Sequence, residues 1–89
     1  MFEVEARINN DKGIHARPSR DIVVSCRNYK STVTLRRKTN PHIFPTNNIL
    51  YILTAAFLQG EVIIVRAEGP DEVHAAKDIA YLIQNFKYC

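Results

Sequence analysis

The chain has 89 residues, a length that predicts one domain over 1–89 with one small core and no room for a deep substrate cavity walled by catalytic loops. Hydrophobic residues make up 46% and charged residues 24%, the balance of an ordinary globular domain, and no apolar run approaches the ~18 residues that a membrane span requires. The net charge of +3 is spread along the chain and suits acidic partner surfaces; the one basic run, Arg36-Arg37-Lys38, reads as a solvated strand end rather than a nucleic-acid patch.

Phe2, Val4, Ala6 and Ile8 alternate with Glu3, Glu5 and Arg7, which predicts a strand with one buried face. The same acidic, alternating start does not have the order of a signal peptide. Asn9 to Gly13 reads as a loop, and a helix follows from about Ala16 to Asn28, with Pro18 in its first turn and Ile22, Val23, Cys26 and Tyr29 on its inner face. Val33 and Leu35 alternate with polar residues in a second strand over Thr32 to Arg36. His42-Ile43-Phe44, between Pro41 and Pro45, reads as a short edge strand. A short apolar helix then carries Ile49, Leu50, Ile52, Leu53, Ala56 and Phe57, with Gly60 as its stop. Val62 to Ala67 reads as a central strand rich in β-branched residues. Glu68-Gly69-Pro70-Asp71-Glu72 opens a last helix, with Pro70 at its first position and Val73, Ala76, Ile79, Ala80, Ile83 and Phe86 on one face. Strands and helices in this order, without strict βαβ alternation, predict an α+β domain with its helices on one face of a sheet.

Cys26 and Cys89 form no framework and no metal-ligand spacing; Cys26 reads as a buried thiol and Cys89 as an exposed one, and both fit a reducing cytoplasm. His42 and His74 have no motif around them and read as surface residues.

The segment Gly13-Ile14-His15-Ala16-Arg17-Pro18-Ser19 carries the chemistry. His15 stands just before a helix whose first-turn N–H groups point outward and carry the positive end of the helix dipole. Such an end receives anions, and the Arg17 guanidinium beside it suits bidentate contact with phosphate. A positive dipole lowers the proton affinity of an imidazole, so His15 is expected to titrate below an ordinary histidine and to present a neutral, nucleophilic ring. A second base, a metal-ligand cluster and a substrate pocket are all missing from the sequence pattern, so the segment reads as a relay rather than a complete enzyme, with no cofactor and no metal. The plain alternative for a lone histidine at a helix start is a weak cap or a surface residue.

The Gly13-Ile14-His15-Ala16-Arg17-Pro18 segment resembles the active-site signature of HPr, the histidine phosphocarrier of the bacterial phosphoenolpyruvate-dependent sugar phosphotransferase system. Length, the distance from Met1 to His15, the order of elements, and the Gly60-Glu61-Val62 and Ala67-Glu68-Gly69 segments extend the resemblance over essentially the whole chain. It implies an open-faced β-sandwich, a four-stranded antiparallel sheet with three helices on one face in the order βαββαβα. It implies that His15 takes the phosphoryl group on Nδ1 from phosphorylated Enzyme I and passes it to IIA domains of sugar transporters. Arg17 and the first-turn amides of Ala16 and Arg17 would hold the phosphate, with Lys12 either reaching it or simply solvated. Ile49, Leu50 and Leu53 would dock onto partners, or else pack in the core. The protein would be a cytoplasmic monomer with transient protein partners, no nucleic acid and no membrane insertion.

Four features depart from the pattern, the first being Lys12, which stands where a small polar residue is usual. Asn48 occupies the second-helix position where many HPr proteins carry a regulatory serine, and Thr46 is the nearest hydroxyl. About two extra residues lie around Asn40-Pro41, and Tyr51 puts a bulky group on the docking helix. The competing readings are an HPr-like regulatory binding module with little transport flux and a small basic nucleic-acid-binding domain; the second is disfavoured because basic and aromatic residues do not interleave.

Overall fold

The computed structural model describes residues 1–9, 13–14 and 16–85. Lys12, His15, Phe86 and Cys89, each given a role above, lie outside the described residues. The elements are β1 (Phe2–Arg7), α1 (Ala16–Cys26), β2 (Thr32–Arg37), β3 (Phe44–Pro45), α2 (Ile49–Ala55), β4 (Val62–Glu68) and α3 (Glu72–Gln84). The strands form one antiparallel sheet in the order β1-β4-β2-β3. The expected βαββαβα architecture with its helices against one face is observed.

Period-two alternation sets the register. Val4 pairs with Val65 and Ala6 with Ile63 across one edge of β4, while Leu35 pairs with Val65 and Val33 with Ala67 across the other. All but half-buried Val4 are sealed beneath the helices, against Ile22, Ile52, Ala76, Ile79 and Ile83. Each fully buried aliphatic side chain contributes about 1.5–3 kcal/mol. The exposed Lys38–Glu5 pair, at 2.7 Å, belongs to a class worth about 0–1 kcal/mol. The apolar face therefore fixes the register, because a slip of one residue would turn all of it to solvent.

Four expectations need correction. The edge strand is Phe44–Pro45, so His42 and Ile43 precede it; Pro45, without an N–H, sits on an outer strand where no further neighbour asks for one. The second helix ends at Ala55, with Ala56 in the left-handed region at φ 52°, well before Gly60. Phe57 is buried as expected, but in the turn after the helix. The last helix starts at Glu72, after Pro70; its inner stripe takes Ala75, while Val73 is 45% exposed. Cys26 is half-buried, and burial raises its thiol pKa with the Thr46 hydroxyl opposing in part. His42 and His74 are exposed, His74 lying 3.5 Å from Asp78. Among the described residues no helix is long and apolar enough to cross a membrane.

Asp71, at the N-cap position of α3, makes no side-chain cap to its own helix. Its carboxylate instead accepts the Lys30 amide (3.0 Å), the Ser31 amide (2.9 Å) and the Ser31 hydroxyl, which ties the α1–β2 turn to the start of α3. The Ser31 hydroxyl and then the Lys30 amide hold this carboxyl below its ordinary range. A depressed carboxyl stabilises the fold above the unfolded-state value, and the contribution is lost as pH falls through the folded value. Asp71→Asn should therefore lower the thermal midpoint at neutral pH, and the difference from wild type should close below about pH 3.9, the ordinary aspartate value. Thermal melts across that range check this; a gap of constant size down to acid pH would show that the charge contributes nothing.

Candidate functional site

The segment leading into α1 is held by backbone. Gly13 has φ +66°, and a Cβ there would overlap the Phe57 carbonyl oxygen and come within 2.9 Å of the Leu58 Cα. Glycine is thus required twice, for the left-handed conformation and for the close approach. The Ile14 amide donates to the Phe57 carbonyl at 2.9 Å, and the Ile14 side chain is buried. On the far side of position 15, α1 begins at Ala16. Pro18 and Ser19 are buried and seat the first turn on the body of the protein, while Ala16 and Arg17 face solvent. Pro18 is the third helical residue, where an N–H would have no acceptor within the helix. No acidic residue stands in this turn to offset the positive end of the dipole, and the Arg17 charge adds to it. The structure brings Gly13, Ile14, Ala16 and Arg17 together around position 15; His15 itself and Lys12 lie outside the described residues.

The second helix sorts the other candidates. Asn48 is its N-cap, in extended conformation, and the Asn48 Oδ1 accepts the Leu50 amide at 2.9 Å. Leu50 is 67% and Leu53 36% exposed, whereas Ile49 is partly buried and packs against the core. Ile52 and Ala55 form the buried side. Exposed Tyr51 and Leu50 border an open depression of about 400 Å³ with Ile43 and Phe44 of the edge segment. Thr46 is only 4% exposed, and its hydroxyl donates to the Val33 carbonyl at 2.7 Å, so it is poorly placed to accept a phosphate from an external enzyme.

One residue was misread from sequence. Arg37 is not a solvated strand end. It pairs with Ile63 of β4 and is partly buried on the helix-covered side of the sheet. Its guanidinium lies 4.8 Å from the centre of the Phe57 ring and donates to the Ala55 carbonyl (2.5 Å), the Ala56 carbonyl (3.3 Å) and the Glu61 carboxylate (2.7 Å). It thereby caps the C-terminus of α2, where a cation opposes the negative end of the dipole. The bonds to Ala55 and Glu61 are both partly buried and charge-assisted, a class that contributes about 1.5–3 kcal/mol. Glu61 is pushed up by burial, but the Arg37 hydrogen bond, the Leu58 amide at 2.6 Å and the Arg37 charge outweigh this and leave its carboxyl below the ordinary range. The signal was present in the sequence: Val33, Leu35 and Arg37 share one parity, so the strand that buries the first two carries the third inward.

Comparison with known proteins matches the chain over residues 2–85 to a family model described as the PTS HPr component phosphorylation site. The phosphocarrier protein HPr of Borreliella burgdorferi is 30% identical over 98% of this chain and 99% of its own length. That of Xylella fastidiosa is 32% identical over 96% of this chain and 93% of its own. Among solved structures, HPr from Thermoanaerobacter tengcongensis is similar with a TM-score of 0.82 at 31% identity, covering 93% of this chain and 91% of that one. A family match over nearly the whole chain, on a fold of the same architecture and with the histidine motif at the head of α1, establishes that the chain belongs to the HPr phosphocarrier family of the phosphotransferase system.

Proposed function

We propose that this chain carries a phosphoryl group on His15, taking it from phosphorylated Enzyme I and passing it to IIA components of sugar transporters, as a cytoplasmic monomer that meets each partner transiently. The observation that carries the reading is the placement of Ala16 and solvent-facing Arg17 in the first turn of α1, directly after His15, in a chain matched by the HPr family model. In the forward step the lone pair of neutral His15 Nδ1 attacks the donor phosphorus, a P–N bond forms and the bond from phosphorus to the donor breaks. The new anion then meets the Ala16 and Arg17 amides and the Arg17 guanidinium, which hold it without committing it. Transfer to IIA reverses the step on a different partner.

Regulation by phosphorylation at the start of α2 has no acceptor in this chain: Asn48 has no hydroxyl, and Thr46 is buried with its hydroxyl engaged. Of the expected docking residues, Leu50 and Leu53 are within a partner's reach, with exposed Tyr51 beside them, whereas Ile49 serves mainly packing.

The reading is tested by incubating the protein with Enzyme I, labelled phosphoenolpyruvate and a IIA domain. Label should reach IIA through the wild type and not through His15→Ala; passage through His15→Ala would remove His15 from the relay. Arg17→Ala should keep the fold and slow transfer by about ten- to a hundredfold, the loss of one charge-assisted hydrogen bond; an unchanged rate would take Arg17 out of the site. Leu50→Asp and Leu53→Asp should weaken Enzyme I binding at unchanged thermal midpoint, while Lys77→Asp, on the exposed side of α3, should not. Titration calorimetry alongside thermal melts separates lost affinity from lost folding.

A further inference from the structure

We infer that Arg37 is a positioning residue for the phosphorylation site, acting through the turn that follows α2. The chain of contacts is short. Arg37 holds the carbonyls of Ala55 and Ala56 and stacks on Phe57; the carbonyl of Phe57 takes the Ile14 amide; and Gly13 presses on Phe57 and Leu58 with no room for a side chain. Glu61 closes the same turn, bonding Arg37 on one oxygen and the Leu58 amide on the other. The turn also holds the residues that enter the site loop, because the Ile8 amide donates to the Glu61 carbonyl (3.0 Å) and the Gly60 amide to the Ile8 carbonyl (2.8 Å). Gly13 and Ile14 are therefore seated on a platform of backbone carbonyls and amides, with the Ile14 side chain buried in the core.

That platform has a weak point which Arg37 answers. Residues 56–60 form no regular element, and Ala56 holds a left-handed conformation that a non-glycine residue adopts only at some cost. A helix of seven residues is too short to order this turn by propagation. A buried-side guanidinium with three acceptors and a ring beneath it fixes the turn, and a point charge could not make the same set of bonds. The consequence for transfer rests on the phosphocarrier reading above; the consequence for the Gly13–Ile14 segment does not.

The test uses Arg37→Met, which keeps an unbranched stem and removes every donor and the charge over Phe57, beside Ile79→Val, a buried change in α3 that lowers stability without touching the turn. Amide hydrogen exchange is read at Ile14 and, as the measure of global opening, at Val65 of β4. Arg37→Met should speed exchange at Ile14 by about tenfold or more beyond the change at Val65, since it removes charge-assisted bonds from the platform alone. Ile79→Val should speed both alike. In phosphotransfer from Enzyme I, Arg37→Met should lower kcat more than it raises KM, because the exposed Leu50 and Leu53 are unaltered. Equal acceleration at Ile14 and Val65 in Arg37→Met would overturn the inference, and so would a selective opening at Ile14 with kcat unchanged. If the wild type itself accepts no phosphate, the carrier reading fails, and the exchange comparison still decides whether Arg37 holds the segment.

Discussion

Strand β4 hydrogen-bonds on both edges, and every other element takes its place from that double pairing. Ile63, Val65 and Ala67 point to the covered side and are sealed there by three helices. A slip of one residue is strongly opposed, because it would exchange three buried apolar residues for Ile64, Arg66 and Glu68. The two connections that reach the candidate site, the loop after β1 and the turn before β4, are anchored by the first and last residues of this ladder. The pairing of Ile8 with Gly60 and Glu61 continues the β1–β4 ladder past its end.

What the sheet makes rigid, the short helices present. The second helix has apolar residues on both faces and too few turns to persist alone. It is stable here because Ile52 and Ala55 are buried, Asn48 caps one end and Arg37 the other. A helix held in this way can leave Leu50 and Leu53 in water without fraying. The same division of labour holds at α1: buried Pro18 and Ser19 seat the first turn, and Ala16 and Arg17 face solvent. Presentation of reactive groups on a surface, rather than enclosure in a pocket, is what a carrier with successive partners requires.

The sequence disclosed the parts governed by periodicity. The alternation in β1 and β2, the β-branched run of β4 and the helical stripes through Ile22 and Val23, and through Ala76, Ile79, Ala80 and Ile83, read directly as elements and faces. It misled where tertiary contacts override a local signal. Val73 falls roughly a quarter-turn off the centre of the stripe formed by Ala75, Ala76, Ile79, Ala80 and Ile83, a drift that spacing by threes conceals. Gly60 looked like a helix stop, yet α2 ends earlier because Arg37, 18 residues back from Ala55, takes the terminal carbonyls. Asp71 reads as one of the residues that open its own helix and instead binds the turn at Lys30 and Ser31, a contact over 40 residues that local pattern cannot reveal. At the candidate site the motif named the groups, and the fold supplied what the motif could not: the carbonyl platform under Gly13 and Ile14 and the sorting of Ile49 from Leu50 and Leu53.

The claim on which the account turns is that the phosphoryl group resides on one nitrogen of one ring. Long-range proton–nitrogen spectra of the uniformly nitrogen-labelled protein, recorded before and after incubation with Enzyme I and phosphoenolpyruvate, test it most directly. The account predicts that the Nδ1 resonance of His15 alone moves and gains a coupling to phosphorus, with His42 and His74 unchanged. Phosphorus coupled to any other nitrogen, or label retained by the protein with the His15 ring unaltered, would contradict it.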